Sequence, residues 1–264
     1  DANPQLKPEY EGLSIVNINT ISDAAADNST AGLAYRYALV NLNPFAVTGS
    51  ESLYSKHSDV AAENFSEQYL QDRAQLLTYL NIQRTTDNSA TLIGAELSTY
   101  KDFDSDTLVH VAGASHAASI SKQYLFGSRG ADSLSGLDND DHLFGGADND
   151  TLKGNDSHVY LEGGKWADRL EGGDDFDTYF ADDSDVISDS DHKGAVRLNN
   201  VVLTGGIRKE GDPVNQYTSA DGEFIYLLNE DRLTVNGGLV IENYDKNKKS
   251  LNITLSDITP VAST

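Results

Sequence analysis

The chain contains no cysteine and no methionine, one tryptophan, and only 19 basic residues against 42 acidic ones in a length of 264. Each shortage excludes something. Without cysteine there are no disulfides and no thiolate metal sites, so stability must come from another source. A formal net charge of -23 repels nucleic acid and anionic membrane alike, and favours cations or plain solubility. No apolar run reaches membrane-spanning length, and the opening DANPQLKPEY has no signal-peptide character. With no initiator methionine, the chain is expected to be an excised fragment or a processed product.

Motifs for catalysis are also missing. There is no G-x-S-x-G elbow for a nucleophilic serine and no H-E-x-x-H for a zinc protease. Ser115 and His116 are adjacent, and neighbours on a strand point to opposite faces. His142 and His158 stand beside acidic turns and read as surface residues, and the 13 tyrosines read as packing residues. The chain is therefore not expected to be an enzyme by itself.

Three regions differ in pattern. Residues 1–98 read as a small helical region. Ser29 or Thr30 caps one helix that Pro44 ends, and Asn64 with Glu67 forms a capping box for a second. Tyr69, Leu76, Leu77 and Leu80 share one face of that second helix. TLIGAELSTY and DTLVHVAG alternate as strands do, and residues 99–193, with DTLVHVAG inside them, are the region expected to form a roll of stacked β coils. Residues 194–264 are β-branched runs broken by Asn-Asn, Gly-Gly and Asn-Gly turn signals, a β-rich cap.

The middle region carries the signal. From Gly127 to 180 the sequence reads in nines without a gap: GSRGADSLS, GLDNDDHLF, GGADNDTLK, GNDSHVYLE, GGKWADRLE and GGDDFDTYF. Glycine opens every block, and the eighth position is leucine until Tyr179. The sixth position is Asp132, Asp141, Asp150, Val159, Asp168 and Asp177. Such a run is an internal repeat. The x-Leu-x part is a minimal strand, and the glycine part is a turn. Two blocks return the chain above its starting point, so leucines stack into a thin core and aspartates stack along two edges. One edge aligns Asp132, Asp150 and Asp168, and the other aligns Asp141, Val159 and Asp177. Stacked carboxylates repel unless a cation lies between them, and Ca2+ accepts six to eight hard oxygens in forgiving geometry. Two good sites are expected on the first edge and impaired or absent ones on the second, where Val159 interrupts the column. Trp166, standing where glycine is usual, is expected to distort the turn around Lys165. ADDSDVISDSD reads as a shortened seventh turn, with Asp185 and Ile187 in register.

These blocks resemble the G-G-x-G-x-D-x-U-x nonapeptide of the RTX (repeats-in-toxin) haemolysin-type calcium-binding family. The resemblance implies a mainly β chain with a right-handed parallel β-roll, a small helical N-terminal region and a β-rich C-terminal cap. It implies Ca2+ as cofactor, held by Asp132, Asp141, Asp148, Asp150, Asp168 and Asp177 and by turn carbonyls such as those of Gly127, Arg129, Gly145, Ala147 and Gly163. It also implies export from a Gram-negative bacterium by the type I secretion machinery, with folding on extracellular calcium. AYRYALVNLNPFAVTG, FSEQYLQDRAQLL and ISDSDHKGAVRLNNVVLTGG are similar to segments flanking the roll in large secreted RTX lipases. On that reading the chain is the non-catalytic part of an exported lipase or toxin. The C-terminal region of a calcium-dependent surface adhesin is the alternative.

Overall fold

The computed structural model describes residues 14–17, 25, 29–49, 54, 65–85, 96–111 and 121–257. The chain divides into two compact units, Asp1–Ile93 and Gly94–Thr264. In the first, strand β1 (Ser14–Asn17) pairs antiparallel with β2 (Phe45–Thr48). This hairpin is an addition to the helical reading, because four-residue strands separated by a helix leave no periodic trace. Helix α1 (Thr30–Val40) is capped by Ser29, whose Oγ accepts the Gly32 N–H at 3.1 Å, and it stops at Asn41, ahead of Pro44.

Helix α2 (Glu67–Thr85) begins later than a cap at Asn64 would place it, and Asn64 lies outside the described residues. Its cap is Ser66, whose Oγ accepts the Tyr69 N–H at 2.9 Å and satisfies one of the first-turn donors directly. The buried face is Leu70, Leu76, Leu77 and Leu80. Tyr69 is half-buried and stacks on Phe65 with ring centroids 4.6 Å apart. Arg73 from this face donates to the Leu39 and Val40 carbonyls, occupying acceptors that the end of α1 leaves open. No helix among the described residues is long and apolar enough to cross a membrane.

The second unit is β throughout. Strand β3 (Ser98–Asp102) forms an antiparallel pair with β4 (Thr107–Val111) and a parallel pair with β5 (Lys122–Phe126). The repeats then supply β6 (Ser133–Ser135), β7 (His142–Gly146), β8 (Thr151–Asn155), β9 (Tyr160–Gly164), β10 (Arg169–Gly173) and β11 (Asp177–Ala181). Successive strands go to alternate sheets, and every pairing among them is parallel. One sheet runs β6-β8-β10 and continues to β12 (Val186–Ser188), with Leu134, Leu152, Leu170 and Ile187 in one register. The other runs β5-β7-β9-β11, with Leu125, Leu143, Leu161 and Tyr179 in register. Both columns meet in a single apolar cluster. The eighth-position reading is thereby accounted for: alternate blocks fill alternate sheets, and their leucines face each other.

The C-terminal strands extend these same two sheets. Strand β13 (Gly194–Leu198) pairs parallel with β11 and turns back through Asn199 and Asn200, both at positive φ, into β14 (Val201–Val202). Strands β15 (Gly205–Ile207), β16 (Gln216–Thr218), β17 (Ile225–Asn229), β18 (Arg232–Val235) and β19 (Leu239–Glu242) follow. Strand β19 pairs parallel with β12, and β20 (Thr254–Ser256) pairs with β15. Within the β-rich cap, Ser250–Asn252 forms a 3-10 turn rather than strand, with Leu251 at φ 54.

The outer faces of the sheets differ. On the β6-β8-β10 sheet, Arg169 bridges Glu171 and Glu242, with Lys153 also on Glu171 at 3.3 Å. On the other, Tyr100 stacks on Tyr124 at 4.3 Å and Phe126 on Phe144 at 5.0 Å. His142 is half-buried there between Tyr124 and Tyr160, not a surface residue as its acidic neighbours suggested.

Leu152 and Leu161 are fully enclosed, one in each column. Replacing either with alanine is expected to cost about 2–5 kcal/mol, because a stack this thin cannot collapse onto the cavity. Denaturant unfolding followed by far-UV circular dichroism measures this.

Candidate metal centre

Of the sixth-position aspartates, Asp141, Asp150, Asp168 and Asp177 are buried and Asp132 is half-buried, although aspartate is seldom found inside a protein without a partner. Their first oxygen explains why. Asp132 N–H donates to Asp150 Oδ1 at 2.7 Å, Asp150 N–H to Asp168 Oδ1 at 2.8 Å, and Asp168 N–H to Asp185 Oδ1 at 2.9 Å. On the opposite edge, Gln123 N–H donates to Asp141 Oδ1 at 2.6 Å and Val159 N–H to Asp177 Oδ1 at 2.9 Å. The carboxylate of each coil thus accepts the turn N–H of the coil before it. Asp185 joins the first column, as the shortened seventh turn predicts.

The second oxygen divides the aspartates into two groups. Asp132 Oδ2 accepts the Ser128 N–H and Oγ, Asp141 Oδ2 accepts the Leu137 N–H at 2.5 Å, and Asp185 Oδ2 accepts the Asp182 N–H at 2.9 Å. Asp150, Asp168 and Asp177 have no such donor, and their Oδ2 atoms are buried with no hydrogen-bond partner. The sequence difference is the doubled glycine. Only in those three blocks is the second residue Gly146, Gly164 or Gly173, at φ 109, 107 and 116. That left-handed turn, which glycine alone enters freely, belongs to the blocks whose carboxylate has no donor in its own turn.

Turn carbonyls approach the same place. A Cβ on Gly145 would overlap both Asp150 Oδ2 and the Gly163 carbonyl oxygen, so the opening glycine makes room for two oxygens at once. The Gly145 carbonyl likewise sits over Gly127. Ala147 directs its N–H to the Ser128 carbonyl at 3.3 Å, and Asp148 is exposed with its Oδ1 on the Asn149 N–H. Arg129 is an exposed turn residue whose side chain lies 4.0 Å from Asp104. Of the residues that the sequence singles out, Asp150, Asp168 and Asp177, with the Gly145 and Gly163 carbonyls, thus present oxygens toward the opening glycines. Asp132 and Asp141 have both oxygens occupied by donors, and the Asp148 side chain points away.

This distribution differs from one derived from column continuity. Asp177 retains an unpartnered oxygen even though Val159 interrupts its column, because the local turn decides whether Oδ2 is occupied. Trp166 does not distort its turn. It adopts φ 86, beside 74, 75 and 75 for Asp148, Ser157 and Asp175 at the same place in their blocks. Lys165 N–H still reaches the Gly146 carbonyl at 3.1 Å, as Asp174 N–H reaches Asn155 at 2.9 Å. The left-handed conformation costs a side-chain-bearing residue roughly 1–2 kcal/mol. Sequence reasoning missed a second ladder at the fifth position. Asp140 Oδ1 accepts the His158 N–H at 3.1 Å and Asn149 Oδ1 the Ala167 N–H at 3.0 Å. Asx residues one place before the aspartate were the available signal. Ser115 and His116 lie outside the described residues.

The electrostatics fit hard-cation chemistry. Burial above all, with the nearby Asp132 and Asp148 charges adding to it, pushes the Asp150 carboxyl up to about 7. Burial likewise lifts Asp168 to about 8 and Asp177 to about 8, with Asp185 and Asp189 the foremost raising charges respectively. Among the described residues no three His, Asp or Glu side chains converge. A cation with six to eight oxygen ligands would therefore take several from backbone carbonyls. An orphaned buried carboxylate oxygen is costly alone and is a ready ligand for such an ion.

Residues 123–152 and 145–179 match the family of the RTX calcium-binding nonapeptide repeat (4 copies). The match covers the turns that hold all three unpartnered oxygens. No curated protein matches the chain.

Two predictions follow from this geometry. The folded, metal-free chain keeps protons on Asp150, Asp168 and Asp177 up to about pH 7–8, whereas the unfolded chain releases them in the ordinary carboxylate range. Between those limits the folded state binds more protons, so raising the pH removes stability. The metal-free melting temperature should fall as pH rises through this window, and millimolar calcium should suppress the fall. Asp168→Asn should flatten the metal-free pH dependence and cut the calcium-induced rise in melting temperature by about half or more, while Asp132→Asn leaves both close to wild type. Thermal melts with calcium and with chelator measure both.

Proposed function

We propose that residues 123–193 form a right-handed parallel β-roll of the RTX kind that folds on calcium, within the non-catalytic part of an exported protein. The observation that carries this reading is the set of buried, unpartnered Oδ2 atoms on Asp150, Asp168 and Asp177, confined to the three double-glycine turns. The family match over the same turns supports it. Bound calcium would supply the positive charge that buried carboxylates need, and Asp150, Asp168 and Asp177 with turn carbonyls would hold it.

A net charge of -23 gives the reading its biological sense. At cytosolic calcium, on the order of micromolar or below, the acidic turns repel and the segment stays unfolded. Extracellular calcium modules work at roughly 10⁻⁴–10⁻³ M, and the free energy of metal binding becomes free energy of folding. A chain of this kind passes an export channel unfolded, through the type I machinery in our reading, and locks outside the cell. The parent protein would be a lipase or toxin whose chemistry lies elsewhere.

The test is a calcium titration of the chain, read by far-UV circular dichroism and by the fluorescence of Trp166, the only tryptophan. Trp166 stands two residues before Asp168 and is 65% exposed, so its emission reports that turn. The expected outcome is a gain of β structure and a fluorescence change with a common midpoint between about 10⁻⁴ and 10⁻³ M. At pH above about 8, where the buried carboxyls have lost their protons, a chain fully β-structured in chelator and unchanged by millimolar calcium would refute the proposal.

A further inference from the structure

Where the last repeat meets the C-terminal strands, the repeat rule is broken at two places that touch. Tyr179 replaces the eighth-position leucine, and Asp189 follows the β10–β12 register to stand across from Gly172, where each earlier coil places a glycine. The offset there is 17 residues, as the bond from Ser190 Oγ to the Gly173 carbonyl shows. Both Tyr179 and Asp189 are buried, and Tyr179 Oη donates to Asp189 Oδ2 at 2.7 Å. Asp189 Oδ1 accepts the His192 N–H at 2.5 Å.

At Gly127, Gly136 and Gly145 the opening glycine lies under two oxygens, the aspartate Oδ2 of its own block and the glycine carbonyl of the next coil, and at Gly154 the next-coil carbonyl of Gly172 is again in place. At Gly172 the arrangement changes. A Cβ there would overlap Asp177 Oδ2 and the Tyr179 hydroxyl, so the phenol oxygen occupies the place that a next-coil carbonyl holds elsewhere. Asp177 is fully buried, and its Oδ2 has no hydrogen-bond partner. The charges that bear on it are Asp189, Asp191 and Asp175, all negative. The ammonium of Lys193 is held by Asp191 at 2.6 Å on the exposed side. A leucine and a glycine, as in the other blocks, would leave this place an ordinary coil end.

We propose that Asp177 and the Tyr179 hydroxyl, whose proton Asp189 accepts, form a site for a hard divalent cation of the calcium class, at the seam between the repeats and the C-terminal strands. It is the site of the Asp177 turn, and it differs from those at Asp150 and Asp168 in taking a phenol oxygen, oriented by Asp189, from outside the usual repeat pattern. The cation fastens β11 to the turn that leads into β13, so the C-terminal strands dock as the ion binds. The inference rests on the calcium reading of the repeats.

The test counts calcium ions per chain by equilibrium dialysis for the full chain, Asp189→Asn and Tyr179→Phe, with folding checked by circular dichroism. The phenylalanine variant keeps the ring packed and removes only the oxygen. Each variant is expected to bind one calcium fewer, with the midpoint of the Trp166 titration unchanged within about twofold, since that turn lies on the opposite edge. The full count in either folded variant overturns the seam site, as does loss of a single ion accompanied by a shifted Trp166 midpoint. A wild-type chain that binds no calcium overturns the calcium reading itself, and the seam site with it.

Discussion

The repeat segment depends on one hydrogen bond made again and again, from the N–H of a turn residue to the Oδ1 of an aspartate one coil later. It fixes the spacing between coils, because the acceptor must arrive 18 residues on within the central columns. It satisfies a backbone donor that would otherwise be buried in a turn without a partner. It also carries a carboxylate into the interior edge of the stack, and the rest of the chemistry follows from the oxygen left over. The opening glycine, the left-handed second glycine and the raised carboxyl titrations are all consequences of accommodating that second oxygen.

This arrangement places the chain's acidity inside its fold as well as on its surface. Each coil contributes two enclosed leucines or their equivalents, one per sheet, each worth roughly 1.5–3 kcal/mol of burial, and at most one carboxylate per edge that opposes them. Protons and cations both relieve the opposition, by neutralising the same oxygen. The aspartates whose second oxygen already has an N–H donor, Asp132, Asp141 and Asp185, need neither. The stack therefore contains turns that close unaided beside turns that wait for a ligand. The unaided ones include the first two blocks, the second of which pairs with β5, so the turns at that end of the stack close on hydrogen bonds alone.

Much of this architecture was legible because nine-residue periodicity is a backbone property written into side-chain identity. Gly127 through Gly172, the leucine column and the pairing of Asp132, Asp150 and Asp168 could be read directly, as could the register of Ile187. The state of the second oxygen could not be read from the aspartates themselves. It depends on whether residue two of the block turns its N–H inward, a matter of φ at Gly146 against Ser128. The doubled glycine was visible, yet its meaning required the geometry. In the helical unit the periodicity of α2 was legible, but its start was misplaced because two capping residues, Asn64 and Ser66, compete within one turn. Strands β1 and β2 were invisible for a different reason: their partner is distant in sequence and each is too short to show alternation. His142 read as exposed because its neighbours are acidic, whereas its ring belongs to the aromatic row on the far side of the sheet.

A stack of open coils must also end, and the two edges end differently. On the first, the spacing shortens to 17, Asp185 still supplies both oxygens to N–H donors, and β12 passes its pairing to β19. Nothing is left over there, so the column stops as a closed hydrogen-bonded unit. On the second, Gly194 stands where the next aspartate would be, opposite Asp177. A Cβ at that position would meet the Asp177 carbonyl and the Leu251 side chain, so the 3-10 turn presses directly on the end of the column. The sequence change that removes the carboxylate is thus the same change that lets the C-terminal strands approach. Termination and docking are one event on this edge, and a carboxylate oxygen of Asp177 remains enclosed beneath the contact.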